Sequence, residues 1–388
     1  MIHRILAAGL GVALLATPAS AEELRLGLLT TLSGGAAIIG EQQKNAFDLA
    51  IEQLGGKVGG VETEVFYGDD KQNADAGRQE AEKMVKRDKV HFVLGPIWSN
   101  VLMAIQRPVL RSGTFLISTN AGASPMAGEL CNKDYFTTSW NNDQTPEAMG
   151  KLLQDRGVKN VFMMAPNYQA GKDMLVGFQR YYKGNIAGQI LTKLGQKDFQ
   201  AEISQVRAAN PGALFIFEPG GMGIAFMKQW AASGVGKQIP LYTVFTVDWL
   251  TLPAIGDAAI GTFHTNFWAP DSDIPQNRKF FDGYVKKFGK KPSHYASQTY
   301  DAVYLVDSAV RAVHGDLSNR DGMRDAMRKA DFPSVRGKFT YNVNHHPIQN
   351  FYVREVVRGD DGKPTIKTVG TVFDHVKDSH WQDCKMQW

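Results

Sequence analysis

The sequence predicts an α/β protein of two doubly wound lobes, each a parallel sheet covered by helices on both faces. Three observations carry this. Short apolar runs alternate with segments of helical periodicity, the alternation breaks off and restarts once near Trp140, and 388 residues is about two domains at roughly 150 residues each. With 43% hydrophobic residues, 39 Gly and 2 Cys, the chain is not a disordered, coiled-coil or disulfide-framework protein.

Residues 1–21 read as an export leader rather than as part of the fold: His3 and Arg4, an apolar run over 5–16, then Pro18 and the small-residue site Ala19-Ser20-Ala21. The run is shorter than the roughly 20 residues that span a bilayer, and no cysteine follows to carry a lipid anchor. The leader holds one basic and no acidic residue, so 42 basic face 39 acidic residues in the remainder. That balance does not suit a nucleic-acid partner. The expected location is the periplasm, where Cys131 and Cys384 are expected to pair.

The elements follow in order. A strand over 24–29, a turn at Ser33-Gly34-Gly35 and a helix with Ala46, Phe47, Ala50 and Ile51 on one face, ended by Gly55-Gly56, form the first unit. A second unit has a strand over 61–67 and a helix carrying Ala74, Ala81, Met84 and Val85. The third has a strand over 90–94, the turn Gly95-Pro96, and a helix capped by Ser99 or Asn100 with Val101, Leu102, Ile105 and Val109 inward. A strand over 114–118 follows.

After Trp140 the strands are 158–164, 213–217, 241–245 and 261–267, and the helices 169–182, 199–209 and 223–233. Three helices come next, marked by Phe280 and Tyr284, by Tyr300, Val303 and Val310, and by Met323 and Met327. Two strand-like runs, 351–357 and 365–372, close the chain. His345-His346 before Pro347 reads as a solvated loop rather than a metal site.

Several segments in this order resemble the exported solute-binding proteins of ABC transporters, of the leucine/isoleucine/valine-binding type and its aromatic-acid-binding branch. They are LRLGLLTTLSGGAAIIGEQQKNAFDLAIEQLGG, YGDDKQNADAGRQEAEKMV, VHFVLGPIWSN, TFLISTNAGASP, APNYQAGKD and AIGDAAIGTF. The resemblance implies the type I periplasmic binding protein fold, two lobes joined by three hinge crossovers. It places the N-terminal lobe at 22–140 plus 268–341 and the C-terminal lobe at 141–267 plus 342–388. It also implies a monomer that closes on a small carboxylate and delivers it to a membrane permease.

Ligands of open α/β sheets sit beyond the C-terminal strand ends. The loop 95–100 is one such place, where Ser99 either holds a carboxylate beside free backbone N–H groups or merely caps its own helix. The resemblance favours the first reading, with Trp98 and Asn100 beside it and Ala121, Gly122 and Ala123 of NAGASP helping. Leucine-binding relatives hold the ligand ammonium with an acid, and the matching position here is Val244. Asp248 and Glu218 are the substitutes within reach, the one otherwise a helix cap and the other otherwise solvated. Ile39 stands where amino-acid binders often carry an aromatic residue.

Trp98, Trp140, Tyr168, Phe245 and Trp249 gather around the same cleft, and flat rings favour flat ligands. The missing acid and these rings put an aromatic carboxylate ahead of leucine, isoleucine or valine. The chain has no G-x-S-x-G, H-E-x-x-H, C-x-x-C or G-x-x-x-x-G-K-[ST], so an exported hydrolase is the weaker alternative, and neither enzyme activity nor any cofactor or metal is expected.

Overall fold

The computed structural model describes residues 23–387, so the leader read at 1–21 lies outside the described residues. In the first lobe β1 (Leu24–Thr30) leads into α1 (Ala37–Gln53), then β2 (Lys57–Val58) and β3 (Val61–Asp69). There follow α2 (Ala74–Lys86), β4 (Phe92–Leu94), α3 (Ser99–Arg111), β5 (Phe115–Ser118), the short α4 (Ser124–Ala127) and β6 (Tyr135–Thr137). The chain then crosses to α5 (Gln144–Asp155), β7 (Asn160–Pro166), α6 (Gln169–Tyr181), β8 (Asn185–Thr192), α7 (Gln200–Ala209) and β9 (Ala213–Ile216). The second lobe continues through α8 (Gly221–Ser233), β10 (Leu241–Val244), α9 (Leu252–Ile255) and β11 (Phe263–Asn266). Helices α10 (Pro275–Phe288) and α11 (His294–Ala312) return to pack on α1, with α12 (Arg320–Lys329) against α11. Strands β12 (Gln349–Arg358) and β13 (Pro364–Val376) finish the second sheet.

The sheets run β2-β3-β1-β4-β5-β6 and β13-β12-β11-β10-β9-β7-β8. β1 lies inside its sheet, parallel to β3 and β4. Its Leu24, Leu26, Leu28 and Leu29 are all fully buried, as a strand covered on both faces requires. Asn73 Oδ1 accepts from the N–H groups of Asp75 and Ala76 and starts α2 there, with Asp75 at the positive end of the helix and Lys83 and Lys86 at the negative end. After β4 the chain turns at Gly95, φ 115°, where a Cβ would stand 2.0 Å from the Leu29 carbonyl oxygen. Only glycine lets the loop 95–98 pass so close, and that passage lays it across the strand ends.

Most strand pairs in both sheets are parallel, as expected, while one side of each sheet is antiparallel and the opposite edges, β6 and β8, stay parallel. β2 pairs antiparallel with β3, and β12 and β13 form an antiparallel hairpin that also pairs antiparallel with β11. Only residues 359–363 join β12 to β13, too few for a parallel crossover. Helix α5 gives no apolar period because Gln144, Thr145 and Glu147 are among its buried positions. His345-His346 is not the solvated loop expected. The His345 ring lies parallel to Phe136 at 4.0 Å, and burial pushes its imidazole down to about 3, so it stays neutral. No group of three or more His, Cys, Asp or Glu among the described residues is placed to hold a metal ion.

Cys131 and Cys384 are disulfide-bonded across 253 residues. The C-terminal tail thereby lies over the junction of the two lobes. Asn344 donates to Asp378, Ser379 to Glu147, and His380 Nε2 sits 2.8 Å from Asp143 Oδ2.

Candidate functional site

A small, tightly closed cleft lies between the two sheets, lined by residues just beyond their C-terminal strand ends. The first lobe contributes Ile97, Trp98, Ser99, Asn120, Ala121 and Tyr295. The second contributes Tyr168, Ala170, Met174, Phe217, Pro219 and Phe245, and the crossover contributes Trp140 and Asn142.

At one end, α3 begins at Ser99 with Trp98 as its cap residue and no capping side chain. Ser99 therefore does not cap its own helix. Its Oγ accepts from Asn142 Nδ2 at 3.1 Å, and no acceptor among the described residues takes the hydroxyl hydrogen. First-turn N–H groups have no acceptor within the helix, and the helix dipole favours a negative group beside them. Asn142 Nδ2 also reaches Asp173 Oδ2 at 2.8 Å, and its backbone N–H donates to the Gly122 carbonyl at 2.8 Å. Asn142 thus ties helix α6, the NAGASP loop and Ser99 together. Trp98 is fixed by a relay in which its Nε1 donates to Thr31 Oγ1 at 2.8 Å and Thr31 donates to Asp70.

The rest of the wall is flat rings. Trp140 stacks on Phe245 at 4.4 Å, Tyr168 on Phe217 at 6.3 Å, and the Trp98 ring meets Tyr168 edge-on at 6.0 Å across the two lobes. Phe245 has φ 53°, an outlier for a bulky residue that costs on the order of 1–3 kcal/mol and turns the chain sharply at the end of β10.

No charged side chain lines the cavity. Glu218 is fully buried rather than solvated, donated to by Thr192, and burial pushes its carboxyl up to about 8, so it is neutral near pH 7. Asp248 Oδ1 accepts from the N–H groups of Leu250 and Thr251, a turn cap just ahead of α9, and its Oδ2 points at His294.

Of the residues singled out in the sequence, the structure brings Trp98, Ser99, Ala121, Trp140, Tyr168 and Phe245 to the cavity, and leaves Ile39, Asn100, Gly122, Ala123, Glu218, Asp248 and Trp249 off its lining. Ile39 is fully buried and packs against Gly220 of the other lobe. The backbone N–H and carbonyl of Gly122 are held by Asn142, and Ala123 caps α4. Trp249 faces outward, with Lys291 Nζ 3.9 Å over its ring. Sequence reasoning missed Asn142, Tyr295 and Met174. Asn142 carried one signal, its place at the restart of the α/β pattern, where a hinge passes between the lobes.

A family model described as "Periplasmic binding protein" matches residues 23–363. A solute-binding protein of an ABC transporter from R. palustris, crystallised with benzoate, is 30% identical with a TM-score of 0.89, covering 94% of this chain and 100% of that one. A second, from Rhodopseudomonas palustris BisB5 in complex with 3,4-dihydroxybenzoic acid, is 28% identical with a TM-score of 0.85, covering 92% of this chain and 99% of that one. The Leu/Ile/Val-binding protein homolog 6 of Brucella melitensis is 27% identical over 371 residues, which are 92% of this chain and 94% of that one.

Proposed function

The chain belongs to the periplasmic binding protein family, and we propose that it is the solute receptor of an ABC uptake transporter for an aromatic monocarboxylate such as benzoate. The observation that carries this reading is the composition of the cavity. One end offers the Ser99 hydroxyl and the first turn of α3 to a carboxylate, the walls are rings, and no ionised acid is present to pair with an ammonium. An amino-acid ligand would leave its ammonium short of a counter-charge, a burial that is costly without a partner. The R. palustris relatives solved with benzoate and dihydroxybenzoate support the same ligand class.

Binding follows from hinge closure. A ligand that touches both lobes only in the closed form shifts the population toward that form by its differential affinity. The acid is released unchanged to a membrane permease. The receptor works as an exported monomer in the periplasm, and no helix among the described residues is long and apolar enough to cross a membrane.

A second reading, a branched-chain amino-acid receptor, is favoured by the name of the Brucella relative. Calorimetric titration separates the two. Benzoate and hydroxybenzoates are expected to bind tightly and leucine, isoleucine and valine weakly. Tight isoleucine binding with no response to the aromatic acids reverses the assignment.

A further inference from the structure

Asp248 and His294 face one another from different lobes. Asp248 follows β10 of the second sheet. His294 opens α11, which is anchored to the first lobe by bonds from Ser293 to Gln42 and from Gln298 to Asn120. Both side chains are buried, at 2% and 1% exposure. Asp248 Oδ2 has no hydrogen-bond partner, and neither does either nitrogen of the His294 ring. The carboxylate oxygen and His294 Nδ1 stand 3.4 Å apart, an approach just short of a made hydrogen bond. Leaving buried donors and acceptors unmade is costly, so each group needs the other once closure has taken it from water.

The pair sits directly behind the cavity wall. The His294 ring lies 4.7 Å from Phe245 and 5.9 Å from Trp140, and its neighbour Tyr295 lines the cavity itself. A ligand pressing on Phe245 and Tyr295 therefore presses on the spacing of the two polar groups. Burial, with the buried Arg354 guanidinium on β12 adding to it, holds the imidazole well below its ordinary range, so the histidine faces the carboxyl as a neutral donor.

We propose that Asp248 and His294 form an interlobe latch, positioning residues that complete their hydrogen bond when a flat ligand seats Phe245 and that set how slowly the ligand leaves. This rests on the reading of the cavity as the solute site. It assigns Asp248 the role of holding the lobes together rather than binding the ligand. A planar ring seats the wall and engages the latch, while a branched aliphatic side chain displaces Phe245 and leaves it open.

Stopped-flow exchange of benzoate, with ligand-free melting in parallel, tests this. His294→Ala is expected to speed benzoate dissociation about tenfold with the association rate unchanged, since losing one partner of a buried pair acts mainly on the off-rate. His294→Gln keeps a side-chain donor and is expected to recover most of the slow dissociation. The ligand-free melting temperature should stay at the wild-type value in both variants, because the latch forms only on closure. An unchanged dissociation rate in His294→Ala, or a fall in ligand-free melting equal to that of the bound form, overturns the latch. Failure of the wild type to bind benzoate while binding isoleucine overturns the functional reading on which the latch rests, a result distinct from benzoate binding with an unchanged dissociation rate in His294→Ala.

Discussion

Asn142 Nδ2 stands 3.1 Å from Ser99 Oγ, so the hydroxyl at the start of α3 is an acceptor toward the protein and keeps its hydrogen for the cavity. Asn142 belongs to the crossover and Ser99 to the first lobe. The hydroxyl is consequently oriented by the hinge itself.

Ser99→Ala removes that donor while leaving the helix start intact. A hydrogen bond to a charged group contributes about 1.5–3 kcal/mol, so the dissociation constant for benzoate should rise roughly tenfold to a hundredfold at 1.4 kcal/mol per decade. Calorimetry checks it, and circular dichroism should show an unchanged fold. Equal affinity in the variant would mean that the carboxylate lies elsewhere.

The stack of Trp140 on Phe245 gives a second prediction. Phe245→Leu keeps an apolar side chain but removes an offset ring contact, worth about 0.5–1.5 kcal/mol beyond burial. Benzoate affinity should fall about two- to tenfold on that scale, whereas affinity for any aliphatic acid bound at the same site should hold or improve. A parallel loss for both ligand types would show that Phe245 acts only as packing.

How much of this was readable beforehand depends on where each residue's environment comes from. β1 and the loop after β4 were legible because a buried parallel strand is apolar along its whole length and the glycine turn follows at once. Ser99 and Phe245 followed, since both sit at strand ends. Asn142 and Tyr295 were not legible, because Asn142 sits in the crossover where no local period marks it, and Tyr295 reaches the cavity from the first turn of α11, which meets the other lobe only through the tertiary fold. His345 was misread for a related reason. Its polar neighbours suggest water, yet it stacks on Phe136, far away in sequence. Asp248 and Glu218 read as candidates at the cleft, yet both lie off its lining, because which way each carboxyl points is decided by partners such as Thr251 and Thr192.

Glu218 supplies a pH prediction whose sign follows from its burial. Its carboxyl is raised to about 8 in the fold, against about 4.3 in an unfolded chain. Such a group favours the folded state fully below its unfolded value, and that contribution is lost as pH rises toward 8. Glu218→Gln cannot ionise in the unfolded chain. It should therefore raise the melting temperature near pH 7.5, by on the order of 2 kcal/mol of stability, and change little near pH 4.5. Thermal melts of both proteins across that range decide it, and a variant that gains equally at both ends would show that Glu218 does not titrate on unfolding.

The tail over the lobe junction makes the last prediction. His380 donates toward Asp143 Oδ2, and this bond, working against burial, raises its imidazole above the ordinary value. The stability it supplies is fully present below about pH 6.5, the unfolded value, and is lost as pH rises through the higher folded value. The same tail is tied down by Cys384 bonded to Cys131, a closure of 253 residues worth at most about 5 kcal/mol in the chain-entropy model. Reduction should therefore lower the melting temperature at every pH. His380→Gln should lower it at pH 6 and much less at pH 8.5, with the disulfide intact. If the tail is held mainly by the covalent bond, the pH-dependent difference should survive reduction only weakly, because a freed tail no longer presents His380 to Asp143. An undiminished difference after reduction would instead mean that Ser379, Asp378 and His380 dock the segment on their own, against Glu147, Asn344 and Asp143.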